Sequence, residues 1–342
     1  MTLALVPFAM DQPTSLALAE DALRARLAPG EELRDLFPPL ESAIRSARAT
    51  GGVLREVGVA CGVVLWEPSG PLGVALRLLY LSPATSSVER YRAALDLATH
   101  FAGPIAFAPG PLSGLSPREE AGLMEGRGFA SFGRSEMSFP PGRPVPSVAL
   151  PREAELRPAR SADAAELALL HETAYRDHLD RFLALEDLDP VKDAQRQVND
   201  YFGGRWGELL SPGSTVVALD GRLVAAVIAV RRAGHTLLID VMTDPAHQGR
   251  GFGRAALAGS LGALRDRGES AIVLNVTEGN DRALRLYERL GFVRSMGPSL
   301  EWYDARRMPV ATPVPRSLTR ASMPEARPDG TPGAAGPGTI AR

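Results

Sequence analysis

A glycine-rich turn in the second half of the chain has the residue types needed to bind a phosphate. The turn consists of the consecutive residues Gln248, Gly249, Arg250, Gly251, Phe252, Gly253 and Arg254. An apolar, strand-like segment over 237–242 precedes it, and a segment with helical periodicity over 254–267 follows it. Because glycine has no Cβ, the backbone of such a turn can approach a ligand closely. The unpaired N–H groups at the start of the helix then point at the anion.

The spacing within this turn excludes two common phosphate-binding patterns. No lysine follows the glycines, so the P-loop pattern is absent. Arg254 stands where the dinucleotide-binding pattern has its third glycine. The remaining pattern is Q/R-x-x-G-x-G/A, formed by Gln248, Gly251 and Gly253. Alone, it also fits a plain surface turn, so a second motif is needed to choose between the two interpretations.

A second motif follows after one strand-like segment, over 271–276. Its residues have the spacing N-x-x-A-x-x-x-Y-x-x-x-G-F and are Asn280, Ala283, Tyr287, Gly291 and Phe292. Asparagine is a good helix N-cap, and glycine is the usual left-handed residue after the last turn of a helix. The motif therefore predicts a helix that begins after Asn280 and ends before Gly291.

Together the two motifs resemble the two signatures of the GNAT acetyltransferase superfamily. The resemblance covers residues 150–305 well and residues 1–140 weakly. It implies an α/β fold of the α+β type, in which a mixed, mostly antiparallel sheet is flanked by helices. It also implies the element order β-α-α-β-β-β-α-β-α-β-β.

The resemblance further implies acetyl-CoA as cosubstrate, with no metal. The glycine-rich turn, together with Asn280, would bind it. In the family the amides of the strand before the turn, here Val241, Met242 and Thr243, pair with the pantetheine, and one of them faces the thioester oxygen. An amine would attack the thioester directly.

The predicted elements around the two motifs fit this order. Besides the segments already named, they are strands over 155–159, 215–219, 223–230 and 300–304 and helices from 161 toward 178 and over 191–207. Asp220 and Gly221 form a strong hairpin signal between two of the strands.

Short patterns recur along the chain at an offset of about 162 positions, which predicts a duplication. We expect a GNAT-like domain over 1–140, a proline-rich linker over 141–150, a catalytic domain over 151–307 and a disordered tail over 308–342. Aligned at this offset, Glu89 and Tyr91 replace Gly251 and Gly253. A carboxylate beside a pyrophosphate is repulsive, so we expect the first domain to have lost the CoA site.

Acetyl transfer needs an acid that reprotonates the thiolate. A base that removes a proton from the charged amine also assists the reaction. The motif position favours Tyr287 as the acid, although a tyrosine on a helix face can also simply pack in the core. Asp240 is the first candidate base, because a charge inside an apolar strand needs a reason. His235, Glu278, a water molecule or no base at all remain alternatives.

Three further residues, His171, Tyr175 and His178, stand at i, i+4 and i+7 of the predicted first helix. The resemblance implies that this helix lines the acceptor pocket, whereas a packed or solvated helix face is the alternative. No cysteine or carboxylate stands at ligand spacing from them, so we expect no metal site.

The length and composition of the chain exclude several other classes of function. The 342 residues suggest about two domains, and the net charge of −2 gives no basic surface for nucleic acid. No apolar run approaches the roughly 18–20 residues of a membrane span, so we expect no membrane partner. Cys61 is the single cysteine, which favours a reducing, cytoplasmic compartment.

The sequence therefore predicts an N-acetyltransferase with one active site, in the second domain, that acts on a small-molecule amine or a peptide N-terminus as a monomer or homodimer. The tandem layout is similar to that of the mycothiol synthases, which makes an amino-sugar acceptor one alternative. A non-catalytic CoA-binding module is the other.

Overall fold

The apolar segments of the sequence pair into one continuous mixed sheet with helices on its faces. The computed structural model describes residues 3–8, 12–24, 50–185, 187–232, 234–295 and 299–307. The tail over 308–342, for which the sequence predicts disorder, lies outside these residues.

The first half of the chain alternates strands and helices in the order expected of a duplicated domain. Its elements are β1 Leu3–Pro7, α1 Gln12–Arg24, β2 Thr50–Glu56, β3 Val59–Pro68, β4 Val74–Leu81, α2 Val88–Ala102, β5 Ile105–Pro109, α3 Pro117–Glu125 and β6 Phe129–Phe139. Helix α3 begins with a capping box, in which Ser116 and Glu119 each bond the other's backbone N–H.

The second half carries the two motifs. Its elements are β7 Ala154–Pro158, α4 Ala164–Tyr175, α5 Pro190–Phe202, β8 Glu208–Leu209, β9 Thr215–Leu219, β10 Arg222–Arg232, β11 His235–Thr243, α6 Phe252–Asp266, β12 Ile272–Thr277, α7 Asp281–Leu290, β13 Val293–Arg294 and β14 Ser299–Asp304. The α/β class, with its mostly antiparallel sheet, is confirmed. The order of elements is the predicted one with the two-residue strand β8 added, which is too short to show periodicity.

Two predicted helices are shorter in the structure than in the sequence analysis. Helix α4 ends at Tyr175, so His178 lies beyond it, in extended backbone at the start of the 3-10 segment Leu179–Ala184. Helix α5 ends at Phe202, before the glycine pair Gly203 and Gly204. Glycine disfavours continued helix, which accounts for this second end.

The two halves share strands at the centre of the sheet. The strand order is β1-β2-β3-β4-β5-β14-β6-β12-β11-β10-β9-β7. Strand β14, from the second half, therefore lies between β5 and β6 of the first half, and β6 pairs along β12. The indole N–H of Trp302 on β14 also donates to the buried carboxylate of Glu120 on α3, at 2.8 Å.

The parallel strands of each half separate partway along their length. In the second half, pairing of β11 with β12 starts at Thr236 and ends at Leu238, whereas β12 stays paired with β6 as far as Thr277. In the first half, pairing of β4 with β5 ends at Ala75. Each half thus has a wedge-shaped opening between its two parallel strands.

The α4–α5 connection packs across the boundary between the halves. Phe182 and Leu185 lie in one apolar cluster with Phe107, Phe132 and Tyr303 of the first half's sheet. Within the described ranges, no helix combines the length and the apolar character needed to cross a membrane.

Candidate active site

The glycine-rich turn forms the N-terminus of α6, as its sequence predicts. Gly251 is the N-cap, with φ 89° and ψ −3°, and Gly249 has φ 78°. This left-handed backbone is readily adopted by glycine. No side chain caps the helix, so the first N–H groups of α6 remain available to a ligand.

The turn packs closely against the end of β11. A Cβ on Gly253 would lie 2.4 Å from the Thr243 hydroxyl, and the Gln248 side-chain amide donates to the Thr243 carbonyl at 3.3 Å. The absence of a side chain at position 253 is therefore a packing requirement. It brings the predicted phosphate turn and the predicted strand edge together.

The side chains of the turn are placed differently from one another. Phe252 is completely buried in the core, so it can offer a ligand only its backbone. The Arg250 and Arg254 side chains are exposed, and the Arg250 guanidinium lies 5.0 Å from the centre of the Phe252 ring. The two arginines supply positive charge beside the turn.

The strand edge predicted to bind the pantetheine has no neighbouring strand on one side. Val241, Met242 and Thr243 pair with β10, but β12 has already separated from β11 at Leu238. Met242 is buried in the core on the α4 and α5 side, so its contribution to a ligand is also limited to the backbone. An extended ligand can add to such an edge as a further strand.

Tyr287 lies on α7 and belongs to the apolar cluster that contains Leu238 of β11 and Leu274 of β12. Only 6% of the residue is exposed, and its ring centre is 5.8 Å from that of Phe292. Burial raises the pKa of its hydroxyl, and the negative charges of Asp180 and Asp240 raise it further. The phenol therefore keeps its proton at neutral pH, as an acid must before it acts.

Asp240 is at the centre of a hydrogen-bonded cluster. Tyr175 donates to one carboxylate oxygen and Tyr201 to the other, and His171 Nε2 lies 4.0 Å from the second oxygen. Burial and the charge of Asp240 raise the pKa of both tyrosines well above their ordinary value. Burial lowers the pKa of His171, so this imidazole is neutral near pH 7.

The other two candidate bases are placed less favourably. Burial raises the pKa of Glu278, but hydrogen bonds from Arg294 and Ser135 outweigh this effect and lower the pKa overall. His235 stands at the start of β11, five residues before Asp240. At about 3.3 Å per residue, the two are roughly 16 Å apart along the strand.

The start of α7 contacts the start of the 3-10 segment that follows α4. Asn280 caps α7 by accepting from the Ala283 N–H at 3.1 Å, and Gly291 ends it with φ 106°, both as predicted. The Asn280 amide also lies 3.3 Å from His178 Nε2, and His178 Nδ1 lies 3.3 Å from the Asp180 carboxylate.

Three residues of this region, Tyr201, Asp180 and Thr277, were not predicted from the sequence. Tyr201, on α5, donates a hydrogen bond to Asp240. Thr277, at the end of β12, donates one to Asp180 in the 3-10 segment. No motif contains these residues, and only the apolar spacing of α5 would have indicated that Tyr201 faces inward. Among the described residues, no group of three or more His, Cys, Asp or Glu side chains is arranged to hold a metal ion.

The corresponding turn in the first half is built differently. Helix α2 has Ser87 as its N-cap, and the Ser87 hydroxyl accepts from the Arg90 N–H at 3.2 Å. Counted from the N-caps, Ser87 corresponds to Gly251, and Glu89 corresponds to Gly253. This corrects the alignment made from sequence, because the first half is two residues shorter between the strand and the helix.

Tyr91 also fills space behind this turn. It is completely buried, its hydroxyl donates to the Ser113 carbonyl at 2.9 Å, and burial raises its pKa to about 12. The first half thus has a side-chain cap where the second half has open N–H groups.

A splayed sheet with a free strand edge beside an uncapped glycine turn fits an enzyme that binds an acyl-CoA donor. A family model, "Acetyltransferase (GNAT) family", matches residues 175–292. A mycothiol acetyltransferase of Thermobispora bispora is 31% identical over 293 residues, which cover 83% of this chain and 93% of that protein. The enzyme of the same name from Thermomonospora curvata is 34% identical over 158 residues, covering 44% and 48% of the two chains.

The chain belongs to the GNAT acetyltransferase family, and it is an acetyl-CoA-dependent N-acetyltransferase. Two solved structures support the fold. One is a GCN5-related N-acetyltransferase from Sphaerobacter thermophilus, with a TM-score of 0.58 and 16% identity over 88% of this chain and 94% of that one. The other is a tandem GNAT protein from the clavulanic acid biosynthesis pathway, with a TM-score of 0.52 and 16% identity over 88% and 98%.

Proposed function

We propose that the second half, over 151–307, holds the single acetyl-transfer site and that the first half, over 1–140, does not bind acetyl-CoA. The observation that carries this proposal is the contrast between the two helix starts. Gly251 leaves the first N–H groups of α6 open, whereas Ser87 caps α2 with its own hydroxyl. In α2 the Arg90 N–H is already bonded to Ser87, and the carboxylate of Glu89 stands in the first turn, so the start of α6 is the better site for a pyrophosphate.

Acetyl-CoA would lie with its pyrophosphate on the turn over 248–254 and its pantetheine along Val241, Met242 and Thr243. The thioester would then reach the opening between β11 and β12, because the turn packs directly on the end of β11. A backbone N–H of this free edge would stabilise the oxyanion that forms as the amine attacks.

Tyr287 would return a proton to the leaving thiolate. Burial keeps this phenol protonated at neutral pH but also makes it a weaker acid than a thiol, whose ordinary pKa is about 8.5. The phenolate formed by the transfer would therefore take a proton back from solvent before the next turnover. The hydroxyl has no hydrogen-bond partner among the described residues, so it is free to donate.

Asp240 would take the proton of the attacking amine through Tyr175. Each carboxylate oxygen already accepts a phenol hydrogen bond, so a hydroxyl stands between the carboxylate and its surroundings on both oxygens and can relay the amine proton. Tyr201 is 2% exposed, whereas Tyr175 is less deeply buried, so Tyr175 is the relay. It would accept the amine proton as its own proton passes to Asp240.

A small-molecule amine is the acceptor class that family membership supports. Since the relatives are named mycothiol acetyltransferases, we propose the free-amine precursor of mycothiol as the first acceptor to test. A peptide N-terminus is the alternative. Cys61 is buried and free, which is consistent with a reducing, cytoplasmic compartment.

Release of free CoA thiol from acetyl-CoA across a panel of amines tests this function. The panel should contain the mycothiol precursor, an N-terminal peptide and whole-cell metabolite extract, with mass spectrometry for acetylated products. We expect turnover with an amino-sugar amine. Tight acetyl-CoA binding without turnover on any acceptor would instead indicate a CoA-binding module.

A further inference from the structure

The wedge-shaped opening of the first half contains a cavity of about 200 Å³. It lies where β4 and β5 separate, at the position that corresponds to the opening between β11 and β12. Its lining includes Phe107, Pro109, Arg134, Leu183, Ser299 and Glu301. Three parts of the fold meet here, namely the first half's sheet, the inserted strand β14 and the α4–α5 connection.

Two charged residues in the lining have no partner among the described residues. The Arg134 Nε is buried without a hydrogen-bond partner, and no described carboxylate forms an ion pair with Arg134. Glu301 likewise has no cationic partner within the described ranges. A third charged lining residue, Arg77, is already paired, because its guanidinium binds Glu67 at 2.8 Å.

The register of the sheet places the two unpaired charges close together. Arg134 on β6 lies directly opposite Ser299 on β14, and Glu301 is two residues further along β14. Side chains two residues apart on a strand point to the same face, and such diagonal neighbours are about 7–8 Å apart. A buried N–H without an acceptor is unfavourable, and the Nε–H of the half-buried Arg134 is such a donor, which indicates that a ligand completes this cavity.

We propose that this cavity binds a small zwitterion, with its carboxylate on Arg134 and its ammonium on Glu301. A guanidinium binds a carboxylate through two parallel hydrogen bonds, and the carboxylate of Glu301 is the matching acceptor for an ammonium. A simple dianion is disfavoured by Glu301 and a simple cation by Arg134. The opening that would hold a pantetheine in the second half thus holds an amino-acid-like molecule in the first.

The cavity is connected to the acetyl-transfer site by short paths. Arg134 pairs across the sheet with Thr277, whose hydroxyl binds Asp180, and Leu183 belongs to the same 3-10 segment as Asp180. The zwitterion can therefore be the distal part of the acceptor or a separate small molecule. Either molecule would carry the same carboxylate and ammonium groups into the cavity.

Calorimetric binding to the full chain, without acetyl-CoA, tests the site independently of the proposed acetyl transfer. The probes are the standard L-α-amino acids, followed by the decarboxylated amine and the deaminated acid of any that bind. We expect at least one amino acid to bind and each single-charge analogue to bind about tenfold more weakly or worse. The failure of every amino acid to bind would overturn the proposal.

Variants assign the binding to the cavity. We expect Arg134→Met and Glu301→Gln each to weaken binding about tenfold or more. The matched controls Arg92→Met and Glu125→Gln change exposed residues outside the cavity and should leave it unchanged. Unchanged acetyl-CoA affinity in all four variants shows that they are folded. If binding survives both cavity substitutions, the proposal is wrong.

Mass spectrometry after addition of acetyl-CoA distinguishes the two sources. Acetylation of a side-chain amine, with the α-ammonium left free, identifies the bound amino acid as part of the acceptor, and binding without acetylation identifies a separate ligand. Both results support the cavity as a zwitterion site, whereas acetylation of the α-amine would contradict its proposed contact with Glu301.

Discussion

At the scale of single residues, the site depends on groups whose charge state is set by burial. Tyr287 is held in its protonated form by burial and by two nearby carboxylates. Its motif position predicted a role as an acid, and the structure adds a physical reason why the proton is retained. The packing of its ring against Phe292 is compatible with both a catalytic and a structural role.

Replacing Tyr287 by phenylalanine separates these roles, since it keeps the ring and removes only the hydroxyl. Loss of general-acid help lowers rates by about 10²–10⁴. We expect Tyr287→Phe to lower kcat about tenfold or more and to leave acetyl-CoA affinity unchanged. Steady-state kinetics and calorimetry measure the two effects. An unaltered kcat would exclude Tyr287 from the chemistry, and a loss of affinity alone would make it a packing residue.

His171 should make the protein sensitive to acid. Burial lowers its pKa in the folded state below the ordinary value of 6.5. As the pH is lowered, His171 is therefore protonated in the unfolded state before it is protonated in the folded state. Its contribution to the free energy of unfolding is fully present above pH 6.5 and is lost as the pH falls through the folded-state pKa. We expect His171→Gln to lose less stability than the wild type between pH 7 and pH 5 in urea unfolding. An identical pH dependence would contradict this assignment.

At the scale of elements, the site depends on the contact between the start of α6 and the end of β11. This contact follows from two local sequence features, the glycine spacing and the strand before it, and it was therefore predictable. The side chains that surround Asp240 were not. Tyr201 comes from another helix, and its position against β11 depends on tertiary packing that no local spacing encodes.

We expect Gly253→Ala to destabilise the protein and Gly262→Ala, in the same helix, to stabilise it. A Cβ at Gly262 meets no atom within 4 Å, so Gly262→Ala should stabilise the protein by about 0.5–1 kcal/mol. A Cβ at Gly253 would be 2.4 Å from the Thr243 hydroxyl. We expect Gly253→Ala to cost about 1–3 kcal/mol and to weaken acetyl-CoA binding.

Gly253→Ala combined with Thr243→Ala is the control for this clash, because Thr243→Ala removes the hydroxyl that the new Cβ would meet. Urea unfolding of the single and double variants measures the coupling. Simple additivity of the two substitutions would show that the contact is not the cause.

At the scale of the whole molecule, the two halves are joined by β14 and β6. The apolar pattern of β14 predicted a strand but not its neighbours, because alternation specifies which face is buried and not which strand lies alongside. The duplication predicted two similar domains but did not indicate that their strands would join in one sheet. The last described strand of the chain completes the sheet of the first half, and the buried Glu120 accepts its Trp302 indole N–H.

Trp302→Phe should therefore destabilise the first half, although the substitution is in the last described strand. The buried Glu120 carboxylate would lose a donor, which costs about 1–3 kcal/mol. Trp66→Phe is the matched control, because Trp66 is only partly buried and contacts the same core. Hydrogen exchange should quicken in α3 and β5 of the Trp302 variant. Exchange that quickened only in the second half would contradict the shared sheet as a source of stability.

The number of acetyl-CoA molecules bound per chain tests the central claim most directly. Isothermal titration of the wild type should give one. Gly251→Glu should give none, because it introduces a carboxylate beside the pyrophosphate at a position with φ 89°. Gly251→Gln carries the same backbone strain without the charge and should retain more affinity. Two molecules per chain, or one molecule still bound to Gly251→Glu with wild-type affinity, would contradict a single site at the start of α6.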